Sequence, residues 1–311
     1  MSNSKKASLS VLIEDLKISF KFAGKNVISF ILGMIGVALV SLLLIAAIAA
    51  VVIPIIFLWI GLDGLIQIGL DVITTFNALQ GATLFLIILI IATPIIAPLT
   101  VALGALFGMA REIVESDGTT AEGVFTWYKN KFFSLAGGGL TIFLIAIAPI
   151  GIVMFLIGPI NVISFDPVIV SVGLVLIVIF YSFTTGFISL VFPAIIDGNS
   201  VMESVKISVR LAWKHFDRVF SVWLSYIGML FLAMAPMMWM AFLGLSDPFG
   251  PALGAVAIYG IGAAIFVVLL LFPATVIGMT RIYMILTGDE ISTSQDAFDE
   301  STPDFSLVGG V

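Results

Sequence analysis

The 311-residue chain has no cysteine and a single histidine, His215. The first absence excludes disulfide frameworks, thiolate metal sites and cysteine catalysis. The second leaves almost no room for histidine-based metal binding or proton transfer. Charge is also scarce: 10% of residues, against about 25% in ordinary soluble domains. Positive charge is the scarcer sign, 13 Lys and Arg against 19 Asp and Glu. A pI near 4.7 speaks against a nucleic-acid partner. What fills the chain is apolar side chain, 61% of it, with a mean hydropathy of +1.25. No large water-facing domain fits such a composition. It is that of an integral membrane protein.

A membrane-crossing helix takes roughly 20 apolar residues for a hydrocarbon core of about 30 Å. Six runs qualify: 27–60, 81–110, 133–158, 168–196, 219–245 and 252–286. They are too long for membrane strands and lack period-two alternation. The expected fold class is therefore all-α, a polytopic integral membrane bundle of six transmembrane helices. The first run would reach about 50 Å as one straight helix, so Pro54 is expected to end it near Ile53. Residues Gly61–Gln80, with Asp63 and Asp71 among Leu62, Leu65, Ile66, Leu70 and Val72, read as an amphipathic segment on the membrane surface.

The charges divide cleanly. Five Lys and Arg lie in 1–26, three in 111–132, four in 197–218 and one in 281–311. The intervening segments 61–80, 159–167 and 246–251 hold only Asp63, Asp71, Asp166 and Asp247. By the positive-inside rule both termini are expected in the cytoplasm of a multi-pass cell-membrane protein. The first span reads as a signal anchor, since the apolar run after the polar 26 residues is too long for a cleavable signal. The expected domain organisation is one membrane domain over 1–286 and a disordered, acidic cytoplasmic tail over 287–311.

The basic segments resemble one another. LKISFKFAGKN at 16–26 and VKISVRLAWKH at 205–215 share Lys17/Lys206, Ile18/Ile207, Ser19/Ser208, Ala23/Ala212 and Lys25/Lys214. Gly108-Met109-Ala110-Arg111 is echoed by Gly278-Met279-Thr280-Arg281, each with a glycine seven residues past the arginine. Polar breaks recur at Asp117-Gly118, Asp197-Gly198 and Gly288-Asp289. Three parallel two-helix repeats account for this, at about 8–110, 119–196 and 199–286, each opening with an amphipathic cytoplasmic interfacial helix. The middle copy matches only at Lys129-Asn130 against Lys25-Asn26. Thr119-x-x-Glu122 and Ser200-x-x-Glu203 read as capping boxes for two of those helices.

After Ser200, Met202, Val205, Val209, Ala212 and Phe216 recur as one apolar face, with Lys206, Arg210, Lys214 and Arg218 on another. The N-terminal copy sets Lys17, Lys21 and Lys25 beside Leu12, Leu16, Phe20 and Ala23. Helices of this kind lie in the headgroup layer. These seven basic residues are the candidate contacts to anionic lipid headgroups, beside their plain role in topology. Membrane lipids are the expected partners.

The runs LFGMAREIVESDGTTAEGVFTWYKNKFFSLAGG and FPAIIDGNSVMESVKISVRLAWKHF resemble an archaeal family of six-helix membrane proteins common in haloarchaea. More distantly they are similar to the membrane domain attached to some bacterial glycerophosphodiester phosphodiesterases. The resemblance spans most of 10–286 and implies fold and membrane location. It implies no activity, because the phosphodiesterase catalytic residues have no counterpart in these motifs.

Chemistry is thin. No ionisable residue lies near the centre of any run, which lowers the case for an ion-coupled pump. Pro94, Pro98, Pro149, Pro193, Pro236 and Pro273 each free a backbone carbonyl. Tyr181, Ser182, Thr184 and Thr185, with Thr93 beside Pro94, form the best intramembrane polar cluster. Its hydroxyls serve either as interhelical hydrogen bonds or as the lining of a cavity for a polar substrate. Gly104-x-x-x-Gly108 and Gly137-Gly138-Gly139 permit close backbone approach. His215 and Asp217, two apart on a helix, point to different faces. Phosphate loops, HExxH and GxSxG are missing. The expectation is a membrane protein that is not an enzyme and takes no cofactor or metal. It would act in membrane or lipid organisation or as a subunit of a membrane assembly, with a permease or facilitator for an uncharged or lipid-like substrate as the alternative.

Overall fold

The computed structural model describes residues 9–74, 78–116, 118–157, 167–242 and 251–288. Among them all regular structure is helical, and five helices are long and apolar enough to cross a membrane. The chain order is α1 (Leu9–Lys25), α2 (Val27–Thr74), α3 (Ala78–Ser116), α4 (Gly123–Asn130), α5 (Phe132–Ile157) and α6 (Pro167–Ile188). Then follow α7 (Val191–Ile196), α8 (Val201–Lys214), α9 (Phe216–Phe242), α10 (Pro251–Phe266), a π turn (Val267–Leu271) and α11 (Phe272–Thr287). The segments 159–166 and 246–250 and the tail from 289 lie outside the described residues, as do the side chains of Asp71 and the rest of 71–80.

A single residue joins each of the short helices α1, α4 and α8 to the long apolar helix that follows it. The elbows are Asn26, Lys131 and His215. At each, the backbone N–H still reaches the carbonyl four residues back, of Phe22, Trp127 and Leu211. The elbow residue itself thus keeps its helical hydrogen bond. The middle elbow falls at Lys131, one residue beyond the Lys129-Asn130 match.

Two local expectations are corrected. Pro54 stays inside α2, and the break comes at Gly61, with φ 72° and ψ 167°. That region is open essentially to glycine alone, whereas Pro54 removes one hydrogen bond without ending the helix. Neither capping box closes: Ser200 sits at the N-cap of α8 without a side-chain cap bond. α4 starts at Gly123 behind an uncapped Glu122, and the Thr119 hydroxyl donates to Glu112 Oε2 instead, at 2.6 Å.

The core gathers where α3, α7 and α11 meet. All six residues of α7 are buried, as are Val101, Ala105, Met109, Ile113, Ile277 and Met284. Glycines let the helices close up there. A β-carbon on Gly104 would come within 2.5 Å of Leu135, and one on Gly138 within 2.3 Å of Ile195. α1 packs on α11, α4 on α3, and α8 on α6 and α7. By contrast α2 exposes Leu39, Leu43, Leu58 and Trp59. An apolar surface that continuous is stable against hydrocarbon, not water.

Candidate functional site

The basic segments meet at one end of the bundle, and their charges are arranged in two layers. The inner layer centres on Asp15, in the buried stripe Asp15–Ser19–Ala23 of α1. Arg218, three residues into α9, donates Nε to Oδ2 and Nη2 to Oδ1 of Asp15, both at 3.0 Å. Arg281 of α11 donates to the same Oδ1. The Asp15 and Arg218 side chains are 3% and 5% exposed, and Arg281 11%. Two planar forks converge on one carboxylate, the pairing for which arginine geometry is suited. The Tyr226 hydroxyl donates to the Ala274 carbonyl at 2.9 Å beside this group. Gly278 makes that approach possible, since a β-carbon there would lie 2.3 Å from the Tyr226 oxygen and 2.9 Å from Ser19 Oγ.

A second ionic group ties the C-terminal ends of α3, α7 and α11. Arg111 Nη1 meets Asp197 Oδ1 at 2.7 Å and its Nε meets Glu115 at 2.6 Å. Tyr283 donates its hydroxyl to the other Asp197 oxygen at 2.9 Å. α3, the end of α7 and α11 are thereby joined through one aspartate. Next to it Glu112 accepts from Trp127 Nε1 at 2.7 Å, and Gly108 leaves the room for that indole, 2.3 Å from where a β-carbon would sit. The two Gly-Met-x-Arg motifs thus do the same work. In each, the glycine admits an aromatic ring and the arginine three residues later binds an aspartate from elsewhere in the chain.

The outer layer is the exposed basic surface. Lys17, Lys21 and Lys25 on α1, and Lys206, Arg210 and Lys214 on α8, are all exposed. Arg218, grouped with them by its spacing, does not share that surface: it is 4% exposed and bound to Asp15. Its four-residue interval crosses the His215 elbow, which turns it inward. Of the apolar face read from Met202, Val205, Val209, Ala212 and Phe216, Ala212 is buried against protein and Met202, Val209 and Phe216 are exposed. Ser204, Ser208 and Ala212 are buried, while Met202 and Trp213 are 63% and 73% exposed. Ser208 explains why a hydroxyl belongs in that seam. It donates to Phe187 O at 2.7 Å and accepts from Leu190 N at 3.2 Å, supplying both groups that the break between α6 and α7 leaves open.

Two of the hydroxyls in the predicted polar cluster donate to backbone carbonyls. Tyr181 donates to Ala146 O of α5 at 2.6 Å, Thr185 to Tyr181 O, and the Ser182 carbonyl accepts from Trp223 at 3.1 Å. Thr184 is half-buried on the same helix, and Thr93 lies on α3 before Pro94. Two apolar grooves are found elsewhere, along the seam of α9 with α10 and α11. None of the five polar residues lines either one. Among the described residues no group of three His, Asp or Glu side chains is placed to hold a metal ion.

Sequence reasoning missed Asp15, Glu112 and the partners of Arg111 and Arg281; it read Asp197 as a turn residue, which it is, without its ionic role. The signal was present in the paired Gly-Met-x-Arg motifs. An arginine at the end of an apolar helix needs a carboxylate, but spacing alone names none. No family model, curated protein or solved structure matches the chain.

Proposed function

We propose a six-span protein of the cell membrane with both termini cytoplasmic, built from three parallel units of one interfacial helix and one helical hairpin. In this reading it acts without catalysis, organising anionic lipid at its basic end or serving as a subunit of a membrane assembly. The carrying observation is the division of α8 into three faces. Ser204, Ser208 and Ala212 face protein; Met202, Val209 and Trp213 are exposed and apolar; Lys206, Arg210 and Lys214 are exposed and basic. A helix surrounded by protein and water has no use for the second face. A helix on the rim of a bundle, in the headgroup layer, has use for all three. α1 repeats the division, burying Asp15, Ser19 and Ala23 and exposing Leu9, Ile13 and its three lysines.

The three units draw support from the matching elbows and from the packing order. α4 and α8 each sit on the hairpin that precedes them, and α1 sits on α11, the last helix, which closes a ring. The sixth span in this reading is α5, whose 26 residues exceed the roughly 20 needed. The transport alternative is weakened where the Tyr181 and Thr185 hydroxyls are bound to backbone.

The test replaces Lys206, Arg210 and Lys214 with Gln and counts lipid adducts by native mass spectrometry. At about 1 kcal/mol for each near-surface cation, anionic-lipid retention should fall by roughly two orders of magnitude at low salt. The difference should shrink toward 1 M salt, where the Debye length is about 3 Å. Unchanged adducts would reduce the stripes to topology signals.

A further inference from the structure

Most glycines inside this bundle are filled by a neighbour: Gly104, Gly108, Gly138, Gly186 and Gly278 would each place a β-carbon within 3 Å of a side chain on another helix. Gly262 of α10 is exposed, with nothing within 4 Å of the position its β-carbon would take, and Gly228 on α9 likewise has nothing within 4 Å. Beside Gly262 runs an open groove of about 460 Å³, between Met229 and Ala233 of α9 and Tyr259, Gly262 and Phe266 of α10. That volume is within the range of small-molecule sites, and the lining is apolar. A second groove of about 150 Å³ follows on the same seam, between Tyr226 and Leu230 of α9, Val267 of the π turn and Thr275 of α11. The π turn Val267–Leu271 begins between the two, a local widening often found where helices serve a site.

The seam has a polarity. From Trp223 to Ala233 it runs roughly 15 Å at the helical rise, about one leaflet of a 30 Å hydrocarbon core. Its inner end is Tyr226, whose ring lies 6.3 Å from Phe20 of α1 and whose hydroxyl adjoins Ser19 and Gly278. Beyond Tyr226 lie α1 and the Asp15 cluster. There Lys17, Lys21, Lys25, Arg218 and Arg281 set five positive charges against Glu14, Asp15 and Asp217. An apolar slot one leaflet deep, ending at an excess of cations, complements one molecule type.

We infer that the seam of α9 with α10 and α11 holds an acyl chain of one anionic phospholipid, with its phosphate at the basic end beside α1. This rests on the lipid reading above and narrows it from loose association along exposed stripes to a single seated lipid.

The test is native mass spectrometry of the full chain, delipidated and titrated with phosphatidylglycerol or chain-matched phosphatidylcholine. One tightly retained phosphatidylglycerol per chain is expected, with phosphatidylcholine about tenfold weaker, the effect of one to two near-surface cations. Gly262→Leu fills the larger groove and should weaken that single lipid about tenfold, while leucine's better helix propensity preserves the fold. Ala233→Leu, from the facing helix, should do the same and stands in if the first variant fails to fold. The triple Gln variant of α8 should keep the single lipid and shed only the looser, salt-sensitive adducts. Unchanged retention in both filling variants overturns the inference and leaves the stripe reading standing. Equal retention of the two lipids overturns it as well. A dimer that Gly262→Leu dissolves would seat a second copy of the chain in the seam instead of a lipid. Loose adducts that persist in the triple variant overturn the stripe reading alone.

Discussion

Asp15 accepts hydrogen bonds from Arg218 and Arg281, 203 and 266 residues away in the chain. It is buried enough that its loss is not a surface event. Replacing it with Asn leaves two guanidiniums facing a neutral amide, and breaking a buried pair from one side costs about 3–5 kcal/mol. Asp15→Asn should therefore lower the melting temperature in detergent markedly. Arg281→Gln in the same chain should restore part of the loss, since neighbours in one network are not additive. A melting curve like the parent's would show the cluster to be energetically idle. Gly278 makes a second residue-scale case. Gly278→Ala should destabilise by crowding the Tyr226 hydroxyl, 2.3 Å away, and Tyr226→Phe should relieve much of that strain. Failure of the phenylalanine to rescue, read by the same melting assay, would place the clash elsewhere.

At the scale of elements, the breaks are set by backbone geometry more than by residue reputation. Gly61 adopts a conformation that costs other residues on the order of 1–3 kcal/mol, whereas Pro54 lies within continuous helix. Spin labels at Ala50 and Leu70 would sit about 30 Å apart on one straight helix. Gly61→Ala should lengthen the observed distance toward that value, and Pro54→Ala should leave it unchanged. The reverse result would return the break to the proline. The elbows follow similar logic: Asn26, Lys131 and His215 have little chemistry in common, yet each turns its chain by one residue with its own backbone N–H still bonded. Such a junction is invisible to composition.

For the whole molecule, the separation of charge along the chain sets the expected orientation. A reporter fused at Val311 and one inserted in 111–132 should both be cytoplasmic, and one in 246–251 external. An external C-terminal reporter would overturn the six-span reading. Closure of the ring is a matter of the same scale. α1 packs on α11 through Asp15, so the first helix completes the packing of the last, and deleting residues 1–25 should unfold or aggregate a chain that keeps all its spans. Monodisperse, normally melting protein after that deletion would remove α1 from the closure.

Helicity, apolar helices of membrane length and the exposed basic positions of α1 and α8 were legible in the sequence, because hydropathy and 3.6-residue periodicity act within a single segment. The same periodicity misassigned Arg218, since one elbow residue reset its phase, and it passed over Ser204 and Ser208, which face protein. In a membrane the inside of a helix is marked by small size and satisfied hydroxyls, not by hydrophobicity, which lipid supplies equally outside. Which carboxylate answers Arg111 and Arg281, what each glycine admits, and where a seam stays unfilled depend on residues distant in the chain. Those were decided only when the helices packed, because a buried charge and an empty volume are properties of neighbours that no one segment contains.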